Sequence, residues 1–295
     1  GVLTALDVKN AISESGLSVN VIWQDCCLQG NAETAYGLAG SADYLVTSAN
    51  LSYSNDHYSV ISSLSDSSST PLSFAKAVVK AYAHTFSQYN MQPNDYRASF
   101  DTVLTQAVYS LSSSAQTSLY TAVGKLATAL LRRDGESVCN AVYSAYLEQD
   151  SRDVSACKGM AYCGTYNYLS DIGYFCYELI NDTSCGVSST TKEAAKSVMT
   201  ALDSVVQCAW LGRLGSGTWS DTSADFQYTK NLDGYSGLLD SEGVFGLTIT
   251  SATNYLYSNT GKEVSYYPIY SDYQGVTGYH SEWGNLLKLW HADEL

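Results

Sequence analysis

The stretch SVNVIWQDCCLQGNAETAYGLAGSADYLVTS (residues 18–48) decides how this chain is read. Residues 17–23, LSVNVIW, are β-branched and aromatic and predict a seven-residue buried strand. Before them, TALDVKNAISES (4–15) predicts an amphipathic helix with Leu6, Val8, Ala11 and Ile12 as its apolar positions. Gly16 stands where a left-handed residue would end that helix. Downstream, Asn31 is placed to cap a second helix, and Glu33 lies in its first turn, where the helix dipole favours an acid. ADYLVTS (42–48) predicts a second strand. Helix, strand, helix, strand is the order of an α/β unit built on a parallel sheet.

The chemistry of interest sits where the first strand ends. Side chains along a strand alternate, so Asp25 and Cys27 are expected on one face and Cys26 on the other, towards packing. Ligands of open parallel sheets bind just beyond the carboxyl ends of the strands. A thiol and a carboxylate would then face one crevice, with N–H groups of the following turn able to stabilise a thiolate or an oxyanion. A nearby acid raises a thiol pKa, so Asp25 is better suited to receive a cationic substrate than to activate Cys27. The other reading makes the cysteines packing residues and Asp25 a turn residue. The residues alone leave both open.

Further along, PLSFAKAVVKAYAHTFSQY (71–89) predicts a helix that starts at a proline. The Pro93-Asn94-Asp95 turn marks a soft boundary between residues 1–95 and 96–295. Residues 97–131 predict one or two more helices and 187–210 another, while GVFGLTIT (243–250), NYLYS (254–258) and VSYYPIY (264–270) are short strand candidates. The chain thus reads as an α/β core followed by a helix-rich lobe with a few late strands.

Composition narrows the function classes. A net charge of −14 disfavours nucleic acid and anionic membranes as partners, since both need clustered Lys and Arg. No apolar run reaches the ~18 residues of a spanning helix. With 25 Tyr, 3 Pro and many Ser and Thr, the surface suits an exported protein. Besides Cys26 and Cys27, six cysteines cluster at 139, 157, 163, 176, 185 and 208. No CxxC and no histidine at ligand spacing accompany them, which argues against zinc. Disulfides among several of the six are expected, with buried thiols as the alternative.

The run DCCLQGNAETAYGLAGSADYLVTS resembles the clostripain family, cysteine peptidases that cut after Arg or Lys. The family motif has Asp, a small residue, the catalytic Cys, Leu, any residue, Gly, then Glu-x-Ala-Tyr and a strand ending in Ser. Asp25, Cys27, Leu28, Gly30, Glu33, Ala35, Tyr36 and Ser48 fall in step with it. More faintly, NDHYSVISSL (55–64) and GVFGLTI (243–249) resemble later segments, with Thr248 where the family has Ser. The resemblance implies a caspase-like, mostly parallel α/β sheet flanked by helices, with an appended helix-rich C-terminal lobe. It implies Cys27 as nucleophile, Cys26 at the small-residue position and Asp25 as floor of the pocket for Arg or Lys. Ala49 and Asn50 stand where the family often has an acid, and Asp56 is the substitute. Asp25, Ser48 and Asp56 are therefore the substrate-binding set. Clostripain itself uses calcium, but no acidic run resembles a calcium loop, so no cofactor is expected.

A cysteine peptidase needs a base. His57 and His280 lie in turn-rich stretches, His84 falls mid-helix and His291 is near the end. The family places its histidine before the cysteine, in a His-Gly motif, and here no histidine precedes Cys27. With Gly1 rather than Met at the start, this implies a heavy chain matured by proteolysis, its histidine supplied by a light chain; the rival explanations are a truncated chain and an inactive relative that has lost its histidine. A secreted, cell-surface or periplasmic bacterial enzyme is expected. The competing readings are an inactive module that binds basic peptides and a surface adhesion protein.

Overall fold

The computed structural model describes residues 4–49, 52, 56–66, 68–88, 102–147, 169–214, 227–232, 246–250 and 281–290. Helix α1 (Ala5–Ser15) begins in a capping box: Thr4 and Asp7 each bond the other's backbone N–H. It ends at Gly16, whose φ of 67° is the left-handed conformation glycine adopts at no steric cost. Strand β1 (Val21–Trp23) leads to helix α2 (Ala32–Gly37), capped by Asn31 through the N–H of Thr34, and then to β2 (Tyr44–Thr47). A 3₁₀ helix spans Asp56–Ser65, and α3 runs from Pro71 to Gln88.

Residues 97–131 depart from the helical expectation. Thr102–Ser110 is strand β3, which pairs antiparallel with β2, and only then does α4 (Ser113–Ala129) begin. The reason lies in burial on both faces. Leu104 and Val108 enter one core while Ala107 and Tyr109 enter the other. A strand covered on both sides gives an apolar run that periodicity cannot separate from a buried helix. The same correction applies to 187–210. Helix α7 (Ser189–Val205) stops at Val205, and Val206–Leu214 is strand β5. Between α4 and α7 lie a π-helical turn at Leu130–Asp134, α5 (Glu136–Tyr146), β4 (Leu169–Asp171) and α6 (Ile172–Asn181). After β5 come β6 (Gln227–Lys230), β7 (Thr248–Thr250) and α8 (Ser281–Trp290). The strand candidates at 254–258 and 264–270, and the boundary near Pro93, lie outside the described residues.

Five strands form one sheet in the order β1-β2-β3-β5-β6, and β4 pairs with β7 in a second. The sheet is mixed: β1 and β2 are parallel and the other pairs antiparallel. Three of its strands follow residue 95, so the core sheet continues well beyond that position. On one face α3 packs Phe74, Ala75, Val78, Val79 and Tyr82 against Val46, Leu104, Val108 and Trp210. On the other, α2, α4, α5, α6, α7 and α8 share a larger core in which Phe175, Trp283 and Trp290 meet edge to face. Among the described residues β1 pairs only with β2 and is an edge strand. That corrects the long buried strand expected at 17–23: three residues pair, all are half-buried, and Leu17 is 70% exposed.

Candidate active site

The parallel ladder ends when Gln24 N–H donates to the Val46 carbonyl at 2.9 Å. Beyond it the chain stops being extended and turns at Cys27-Leu28, with Leu28 at a φ of 64°. Face alternation therefore ends before Asp25. The expectation that Cys26 points into packing is overturned: Cys26 is exposed and Cys27 is half-buried. Partial desolvation, then the neighbouring Cys27 and Asp25, raise the Cys26 thiol above its ordinary value.

The Cys27 sulfur lies against the segment that follows β2. Ser52 N–H donates to Sγ at 3.2 Å, and Sγ lies 3.5 Å from the Ser52 carbonyl oxygen. Asp25 is exposed on the same turn. Asp25 and Cys27 thus both lie just beyond the carboxyl end of β1, on irregular chain rather than on a strand face. Ser48 is placed differently. It is fully buried, with its hydroxyl 2.9 Å from that of Thr105, so it lies beneath the site and braces β2 against β3. Asp56 opens the 3₁₀ helix, and its side chain lies outside the described residues. Of the histidines, His84 is exposed on α3, while His280, His291 and the side chain of His57 lie outside the description.

Gly30 holds the turn in place. Its N–H donates to the Ser48 carbonyl at 2.8 Å, and its own carbonyl accepts from Thr248 N–H at 3.0 Å. A side chain here would overlap the Tyr109 hydroxyl and lie 2.6 Å from the Ala49 nitrogen. Glycine is the residue that admits such an approach. Asn31 contributes twice: Oδ1 caps α2, and Nδ2 donates to the Leu28 carbonyl at 2.8 Å. Ser52, Tyr109 and Asp171 escape sequence reasoning, because their contacts join segments far apart in the chain.

Chemically, this corner offers a partly accessible sulfur, an exposed carboxylate two residues before it, and a tight turn of the backbone. The clostripain family model matches residues 2–290. The chain belongs to the clostripain family. It is thereby a member of a family of cysteine proteases, and the motif around Cys27 sits at the geometric position just described.

Two solved structures support the fold of this clostripain-family chain. A cysteine protease of B. fragilis is 14% identical, with coverage of 95% of this chain and 97% of that one and a TM-score of 0.50. A secreted cysteine protease of Bacteroides thetaiotaomicron, solved with an irreversible peptide inhibitor, is 15% identical with a TM-score of 0.50. That match covers 94% of this chain but 63% of the other. No curated protein matches the chain. The six-cysteine expectation is corrected in part: no disulfide joins two described cysteines, and Cys139, Cys176 and Cys208 are buried in the cores. Cys157 and Cys163 lie outside the described residues. Among the described residues no helix is long and apolar enough to cross a membrane.

Proposed function

We propose that this chain is a cysteine endopeptidase that cleaves after Arg or Lys by acyl transfer through Cys27. The observation that carries the reading is the partly accessible Cys27 sulfur, aligned by Ser52 N–H, on one turn with the exposed Asp25. The thiolate adds to the scissile carbonyl, the amine leaves with a proton, and water releases the acyl group from sulfur. Backbone N–H groups of the turn stabilise the developing oxyanion. Asp25 receives the substrate's guanidinium or ammonium as a charge-assisted hydrogen bond, worth roughly 1.5–3 kcal/mol. Uncharged side chains leave that carboxylate unpaired on binding, which selects against them. Buried Ser48 shapes the pocket from below, and Asp56 supplies a second acid. The chemistry needs no cofactor.

The base is proposed to come from a light chain, made with this heavy chain as one secreted precursor and separated by proteolysis. Among the described residues β1 pairs only with β2, and its other side is where such a chain would add strands beside Cys27. A fluorogenic Arg or Lys peptide, assayed with and without iodoacetamide, tests the peptidase reading. Turnover abolished by the alkylator supports it, whereas Arg-peptide binding without turnover would identify a non-catalytic module instead. Intact mass spectrometry tests the two-chain form, which requires a smaller co-purifying polypeptide.

A further inference from the structure

The cysteine turn is held from beneath by a segment more than two hundred residues away. Thr248 donates to the Gly30 carbonyl twice, through its N–H at 3.0 Å and its hydroxyl at 3.2 Å, and it is fully buried. Thr248 also forms a parallel bridge with Asn31, whose side chain fixes the Leu28 carbonyl. So the two carbonyls that follow Cys27 most closely in this turn and carry described bonds, Leu28 and Gly30, both depend on the register of β7.

That register is fixed in turn by a buried carboxylate. One oxygen of Asp171 accepts from Gly173 and Tyr174 N–H at the start of α6. The other accepts from Gly246 N–H at 2.6 Å. The Gly246 carbonyl accepts the Tyr109 hydroxyl at 2.5 Å, and that hydroxyl lies directly under Gly30. Ile172 N–H bonds the Leu247 carbonyl at 3.1 Å. Residues 246–248 are therefore pinned on both sides before they reach Gly30. Such a layout suits a support that has to hold a reacting sulfur to a fraction of an ångström.

We infer that Thr248 is a positioning residue for the nucleophile, acting through the Gly30 carbonyl, with Asp171 and Tyr109 holding β7 in register for that task. This rests on the peptidase reading of Cys27. Thr248 touches neither substrate nor sulfur; its hydroxyl fixes the peptide that sets the aim of the turn.

The test compares Thr248→Val, which keeps the shape and removes the hydroxyl, with Thr248→Ser, which retains it. In the matured protein, Thr248→Val is expected to lower kcat about tenfold with KM changed less than about twofold, and Thr248→Ser to stay within about threefold of the parent. Iodoacetamide alkylation of Cys27 against pH, in a Cys26→Ser background, gives a readout that needs no substrate. Thr248→Val should slow that alkylation and move its pH midpoint, and Thr248→Ser should restore both. A hydroxyl with a purely structural role would lower the melting temperature and leave Cys27 alkylation in the folded protein untouched. That result, or a kcat loss that merely tracks the unfolded fraction, overturns the inference. If the parent protein cleaves no Arg or Lys peptide, the peptidase reading fails by itself, and the alkylation comparison still decides the role of Thr248.

Discussion

The backbone N–H of Ser52 points at the sulfur of Cys27 from 3.2 Å, across a gap of 25 residues in the chain. The end of β1 and the segment after β2 therefore meet at one atom. Cys139 and Cys176 contrast with it, buried as they are among apolar side chains. Burial, with Asp134 adding, pushes the Cys139 thiol up to about 11, and burial with Asp171 pushes Cys176 higher still. At pH 7–8, limiting iodoacetamide should label the Cys26–Cys27 peptide and spare Cys139 and Cys176 until the protein is unfolded. Peptide mapping reads this directly, and early labelling of Cys176 would contradict it.

Asp25→Asn should cut kcat/KM for Arg and Lys peptides by about tenfold to a hundredfold, the equivalent of losing one hydrogen bond to a charged partner. Because Asp25 is exposed, the melting temperature should hardly move. Kinetics together with a thermal melt separate the two effects. Unchanged kinetics would remove Asp25 from the substrate pocket.

Gly30→Ala is expected to be harmful although it adds one methyl group. The new carbon would lie 2.6 Å from the Ala49 nitrogen and 2.8 Å from its Cα, both backbone atoms that cannot swing aside. Overpacking of this kind costs about 1–3 kcal/mol, and here it would also shift the turn that carries Cys27. Urea unfolding and turnover should both fall, the second by more than the lost stability explains.

Asp182 gives a pH-dependent prediction. Its desolvation would raise its pKa, but hydrogen bonds from the Tyr146 hydroxyl and the N–H groups of Cys185, Val187 and Ser184 outweigh that and hold it well below the usual carboxylate range. A depressed folded pKa stabilises the fold fully above the unfolded value, about 3.9, and this contribution is lost as pH falls through the folded value. Asp182→Asn should therefore destabilise by about 2 kcal/mol at pH 7. The difference between variant and parent should shrink steadily below about pH 4, as measured by urea unfolding at several pH values. A gap that stays constant down to pH 2 would contradict the assignment.

Local rules carried the fold where they had local causes. Gly16 ends α1, Asn31 caps α2 and Pro71 opens α3 because each sets the backbone conformation or satisfies a donor within a few residues of itself. They failed at β3 and β5, two of the three interior strands. Residues such as Val108 and Tyr109 face opposite cores, so the alternation that marks a strand disappears. They also overstated β1, because an edge strand with one partner is shorter and wetter than its composition suggests.

For the site, the sequence determined which groups are present. Asp25 and Cys27 lie two residues apart, and that spacing with the motif through Ser48 singled out Cys27 as the candidate nucleophile. Tertiary structure decided how they are held and which neighbours are exposed. A turn, not a strand, carries them, which reverses the expected roles of Cys26 and Cys27 in packing. Ser48 went into the core against Thr105, and the support from Ser52 and Thr248 arrived from 25 and 218 residues away. Neighbours in the chain are constrained by bond geometry and short-range hydrogen bonds, which a sequence displays. Partners at such separations meet only when the sheets assemble, and that pairing is set by the sum of burial over both cores.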